Sequence, residues 1–487
     1  MLVLIIYVCL NLRFVILYIC KSVEKKFCAT SCSMGTRDEE SQPIINQTDG
    51  IASDKSAADR LALEEAQAND EGTPWFGFFY FGILGLLCFN VYLQVSSYLT
   101  KSYNPRFIEW ANVLYGLSNN VGQLIAIFTG SRFSFFNRIW ISSLGLALVV
   151  VGLPVFAQTN LSIRTYLGYL FMFGLGLCNA IMQSAGFGLA GSVSTRAINW
   201  YSIGQAVSGL LGMPFIVLTK WILGLFANGN TQKYTPDDVS AIAALVLSAL
   251  LTLSMIPYYY FGLSRNAVVA KTLASIEKPA VPGSSARYVE SIVAVLPIAV
   301  SVWFVMFLTF LVFPNQIFKW TPSFSGYSSG LFINLMIFCF QLFDVVGRYL
   351  ALAGLTMTPL MVLTIPPWRI VLVVAMYVCS TETWIFQYDI TRFVLMALFA
   401  ASNGLFISWC MILGPQQGKR ENSDIASYTM SFALVNGILC GSLVGTAISP
   451  FFDSASKAAK PMEFEMQHLV SVVHEIVDGV IGTTIAP

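Results

Sequence analysis

Residues 137–157 read NRIWISSLGLALVVVGLPVFA, and Arg138 is the only charged side chain in the run. Wound as a helix at 1.5 Å per residue, such a segment is about 30 Å long, which matches the hydrocarbon core of a bilayer. Segments of the same kind recur along the chain. The reading places spans at 75–99, 110–129, 137–157, 165–190, 200–226, 239–262, 289–314, 329–353, 366–387, 392–414 and 427–450. The border between the eighth and ninth rests on Pro359, Pro366 and Pro367, because 349–365 is otherwise apolar. The expected fold class is an all-α multi-pass membrane protein, with eleven transmembrane helices in a 6+5 two-bundle arrangement.

Composition agrees. Hydrophobic residues make up 56% of the 487 and charged residues only 11%, with a mean hydropathy of +0.69. An ordinary soluble domain is about 25% charged, so a cytosolic enzyme is excluded. A net charge of +1 also speaks against a nucleic-acid binder, which needs a basic surface to neutralise phosphates. Of the 53 charged residues, 17 fall between Lys21 and Pro74, which leaves the rest of the chain poorer still. Ten cysteines are present without a Cys-x-x-Cys or Cys/His grouping, so no metal and no cofactor is expected.

The expected organisation has five parts. An N-terminal segment, 1–74, holds an apolar run (1–20) and then a disordered acidic tail. A six-helix bundle follows at 75–262, then a basic loop at 263–288, a five-helix bundle at 289–450 and a tail at 451–487. For the run 1–20 two readings stay open, a signal anchor or translation starting at Met34. Within the tail, Glu40 to Ile45 has the form of an acidic dileucine sorting signal, a pattern that also arises by chance. The loop carries Arg265, Lys271, Lys278 and Arg287 against Glu277, which makes it cytoplasmic by the positive-inside rule. The segment before Trp75 is then cytoplasmic too. The sequon Asn160-Leu-Ser162 faces outside and Asn46-Gln-Thr48 faces the cytosol.

An ionisable side chain inside a span is costly and is a functional-site candidate by default. Asp344 and Arg348, in FDVVGRYL, stand four residues apart and share one helix face. They read either as a self-neutralising pair that orients its helix or as a pair facing a wet cavity, where a neutral hydroxylated ligand suits them. Asn179 and Gln183 are also four apart. Asn90, Asn119, Asn120, Gln123, Gln205, Asn403 and Asn436 are further intramembrane amides. Each can join helices or meet a ligand. Both histidines, His468 and His474, lie in the C-terminal tail, so the bundles lack the usual near-neutral proton carrier. If protons accompany the substrate, Asp344 is the best-placed carboxylate. No phosphate loop or nucleophile elbow occurs, and no enzyme is expected.

Five stretches together resemble the equilibrative nucleoside transporter family, solute carrier family 29. They are NAIMQSAGFGLAG (179–191), GQAVSG (204–209), FDVVGR (343–348), SNGLFISWCMILGP (402–415) and GILGLLCFN (82–90). The chain departs from that family's pattern in the first helix, where Cys88-Phe89-Asn90 stands for Pro-Trp-Asn, and in Gly204-Gln205-Ala206 for Gly-Gln-Gly. The family's Pro-rich link between helices four and five reads SVSTRAINW here. The resemblance implies a fold like the major facilitator type and an alternating-access carrier of nucleosides, with purine nucleobases as further candidates. It places Gln183 on the nucleoside, Asp344 and Arg348 on ribose hydroxyls or a base edge, and Asn90 with Phe89 beside the cavity. Asn179 completes the candidate substrate-binding set. The plasma membrane is the expected location, with an endolysosomal or vacuolar membrane as the alternative. A sugar-type major-facilitator carrier and a non-transporting receptor remain as alternative functions.

Overall fold

A span in lipid must satisfy every backbone N–H and C=O internally, and an α-helix does so within one segment. The computed structural model describes residues 71–448, apart from 105–106, 130–132, 160–162, 227–235, 277–284, 314–315, 318–319, 325–328, 354–356, 382–383 and 419–422. The apolar run 1–20, the Glu40–Ile45 motif, the sequons at Asn46 and Asn160, and the tail at 451–487 lie outside the described residues.

The long helices are α1 (Trp75–Gln94), α2 (Phe107–Thr129), α3 (Phe135–Ala157), α4 (Arg164–Val193), α5 (Thr195–Phe226) and α6 (Pro236–Leu253), then α7 (Ser285–Val312) and α8 (Ser329–Leu352). The last three are α9 (Pro359–Val378), α10 (Asp389–Gln416) and α11 (Ser423–Ile448). Ten of these segments are long and apolar enough to cross a membrane, and α2 is the one that falls short. Its polar residues are segregated on one face. Ser118, Asn119, Asn120 and Gln123 are buried, whereas Leu117, Val121, Leu124, Ile125 and Phe128 point outward. The arrangement inverts that of a soluble amphipathic helix, with the polar face in and the apolar face out.

Three local expectations are corrected. The ninth span begins at Pro359, not 366: Thr358 caps it by accepting from the Met361 N–H, and Pro359 sits in the first turn, where a missing N–H costs nothing. Pro366–Trp368 is a 3-10 turn inside the span, and Cys379–Thr381 and Trp384–Gln387 lie beyond it as two further short 3-10 turns. The link between the fourth and fifth spans is not SVSTRAINW but Ser194 alone, because α5 already starts at Thr195. Ser194 closes this sharp corner by accepting from the Ala197 N–H at 3.1 Å and sharing a 2.7 Å hydrogen bond with Thr73. The basic segment after the sixth span is not a plain loop, since Ala267–Ile276 is helical and buries Val269.

Packing puts α1 against α5, α2 against α4, and α8 against α10. Glycine makes the last of these possible. A Cβ at Gly404 would lie 2.0 Å from the Asp344 carbonyl oxygen, and one at Gly347 would lie 2.1 Å from that of Ala401. The two backbones therefore touch directly. One apolar core runs through α1–α6 and reaches α7, α10 and α11, while a second lies among α7–α10.

Candidate functional site

The backbone contact at Gly404 brings α10 onto α8 at the level of Asp344. Asp344 and Arg348 are both buried, and Arg348 Nε donates to Asp344 Oδ2 at 2.9 Å. Asn403 Nδ2 donates to the other carboxylate oxygen at 2.7 Å. Thr309 in α7 donates to Asn403 Oδ1 at 2.6 Å, and Arg369 in α9 donates to the Thr309 hydroxyl at 3.1 Å. Because a guanidinium only donates and a carboxylate only accepts, the direction of this chain, Arg369 to Thr309 to Asn403 to Asp344, is fixed. Arg369 is completed by Ser402 and by the carbonyls of Val305 and Phe399, with its guanidinium 4.6 Å from the Phe399 ring. Buried charges persist only when partnered in this way.

Arg348 also reaches α5. Its Nη1 donates to the Ser202 hydroxyl at 2.6 Å and to the Ser202 carbonyl at 2.9 Å. Its Nη2 has no partner among the described residues, so a forked donor remains beside the carboxylate.

The other expected residues gather along α2, α4 and α1. Gln183 accepts from Gln123 Nε2 at 3.2 Å, and Gln123 in turn accepts from the Ser431 hydroxyl of α11 at 3.2 Å. Asn179, one turn earlier on α4, donates to the Tyr115 hydroxyl, which also accepts from Asn119 at 3.4 Å. Phe89 lies flat on the same tyrosine, with ring centroids 4.0 Å apart and planes 8° from parallel. Asn90 donates to Ser208 at 2.6 Å. Thus Phe89 and Asn179 meet at Tyr115, while Gln183 and the Asp344–Arg348 pair stand in separate hydrogen-bonded clusters. Among the remaining amides, Asn120 and Asn436 tie α2 to α11 at 3.0 Å, which is the joining role expected of such groups.

Three buried arginines were not among the sequence candidates. Arg369 lies near the start of the expected ninth span, at 366–387, and the earlier start of α9 at Pro359 sets it deeper inside. Arg392 is fully buried at the start of α10, donating to the carbonyls of Phe386, Thr321 and Cys379. Arg138 donates to the Tyr428 hydroxyl at 3.0 Å, joining α3 to α11. Among the described residues no group of three His, Cys, Asp or Glu is placed to hold a metal.

The sequence profile of the family described as Nucleoside transporter matches residues 170–449, more than half of the chain. The chain belongs to the nucleoside transporter family. The rat Equilibrative nucleoside transporter 1 is 24% identical over 444 residues, spanning 76% of this chain and 95% of the relative. Its human counterpart is 23% identical over 443 residues with the same shares. In fold, the transporter is similar to the proton:xylose symporter XylE of the major facilitator superfamily, with a TM-score of 0.55 at 12% identity over 78% of this chain and 89% of that one. The described residues of the transporter form helices and no strand, in a fold like that of the major facilitator type, and the transporter is a multi-pass membrane protein that carries nucleosides.

Proposed function

We propose that the transporter moves nucleosides, and purine nucleobases with them, by alternating access between a six-helix bundle (75–262) and a five-helix bundle (289–450) joined by 263–288. In this reading α2 is the eleventh span, its polar face turned to the protein and its apolar face to lipid. Gln183, Asp344 and Arg348 hold the ligand, and Asn90, Phe89 and Asn179 line the same cavity. The carrier works in the plasma membrane without a cofactor.

One observation carries the reading: the Nη2 of Arg348, without a partner among the described residues, stands beside a carboxylate already oriented by two donors. A neutral ribose offers hydroxyls that can donate to Asp344 and accept from Arg348 at once. A base adds an aromatic face for stacking. Ligand binding drives exchange between states only through a difference in affinity between them.

The test is uptake of labelled adenosine, uridine, hypoxanthine and xylose in cells lacking nucleoside carriers, with and without a pH gradient. Saturable adenosine uptake is expected, and Asp344→Ala or Arg348→Ala abolishes it at unchanged surface amount. Parental uptake by both variants refutes the site. Uptake of xylose alone favours the sugar carrier, and binding without flux favours a receptor.

A further inference from the structure

Two donors that the proposed function assigns to the ligand, Gln183 from the N-terminal helices and Arg348 from the C-terminal ones, share one arrangement. Each is aimed by a buried serine of the opposite set. Arg348 sits on α8, yet its Nη1 is held by the hydroxyl and carbonyl of Ser202 on α5, at 2.6 Å and 2.9 Å. Gln183 sits on α4, and its Oε1 is held by Gln123, whose own Oε1 is held by Ser431 on α11. Ser202, Ser431 and Gln123 are all fully buried.

Planarity gives these ties their effect. A guanidinium is a rigid fork, so fixing Nε on Asp344 and Nη1 on Ser202 leaves Nη2 a single direction. A carboxamide is planar as well, so holding Gln183 Oε1 sets where its NH2 points. We propose that Ser202 and Ser431 are positioning residues, each aiming a ligand-reading donor of the opposite bundle. Separation of the bundles at this level withdraws the serines, and the donors lose their aim. Affinity for the ligand is thereby tied to the conformation of the carrier, which is the differential affinity that alternating access needs. This inference rests on the assignment of Gln183 and Arg348 to the ligand.

The experiment uses the full-length protein purified into proteoliposomes with labelled adenosine, and reads KM and Vmax separately, together with thermal melting. Ser202→Ala is expected to raise KM roughly tenfold, the loss of one hydrogen bond to a charged group. Ser431→Ala acts through a neutral amide and is expected to raise it about three- to fivefold. Ser202→Thr, which keeps the hydroxyl, restores KM to near the parental value. A serine that only packs the helices would lower Vmax and the melting temperature and leave KM alone. Ser248→Ala, where the lost hydroxyl donates to the Leu245 carbonyl of its own helix, serves as the buried control and keeps the parental KM. The inference is overturned if both alanine variants keep KM within twofold of the parent while Arg348→Ala abolishes uptake. Normal uptake by Arg348→Ala overturns the site assignment and the inference together.

Discussion

Replacing Gly404 by alanine tests whether the site depends on backbone contact between α8 and α10. The new Cβ would stand 2.0 Å from the Asp344 carbonyl oxygen, 2.9 Å from its carbon and 3.0 Å from the Arg348 nitrogen. All three are main-chain atoms of a helix, so no side chain can swing aside. Ordinary contact requires the helices to part by about 1 Å or more. Asn403, the neighbour of Gly404, donates to Asp344 at 2.7 Å, and a displacement of that size takes the pair out of hydrogen-bonding range. Overpacking of this kind costs about 3 kcal/mol, before the carboxylate loses its second donor. The assay is adenosine uptake per molecule at the surface, paired with thermal melting in detergent. Uptake should fall by at least 100-fold, on the order of 2.7 kcal/mol, and the melting temperature should drop. Gly418→Ala is the control, since its Cβ would meet nothing within 4 Å. A Gly404→Ala protein with parental uptake and melting would refute the reasoning, because the contact between the helices would then carry no part of the site.

Two other perturbations separate support from binding. Arg369→Met keeps much of the volume but removes the charged donor shared by the Thr309 and Ser402 hydroxyls and the Val305 and Phe399 carbonyls. It should cost about 3 kcal/mol in stability, read as a lower melting temperature, because several buried hydrogen bonds to a charged group are lost together. Tyr115→Phe keeps the ring stacked on Phe89 and removes the acceptor of Asn179 and Asn119. A loss of about 1–2 kcal/mol in stability is expected, with unchanged melting counting against a load on that hydroxyl.

The scarcity of charge made the candidate site partly legible. With so few ionisable residues in the spans, the i, i+4 pair of Asp344 and Arg348 stood out, and the structure places it on one buried face with a 2.9 Å contact. The same logic passed over Arg369. Arg369 stands near the start of the expected ninth span, but a capped start at Pro359 and a 3-10 turn at Pro366–Trp368 set it deeper in the span. The family resemblance set Phe89 beside the cavity. Its stacking on Tyr115 could not be read, because that partner comes from another helix.

By itself the sequence determined the solvent of this protein and its class of fold: long apolar helices follow from the cost of unpaired backbone groups in lipid, a property local to each segment. It determined as well which side chains are too costly to be there by accident. Only the tertiary structure decided what those side chains touch. That Arg348 leans on Ser202, that Asn403 turns its NH2 to Asp344, and that Gln183 answers through Gln123 to Ser431 are facts about helix pairs. Hydropathy along one segment carries no information about the face of its neighbour. The glycine contacts that set how closely helices approach become visible only when both backbones are in place.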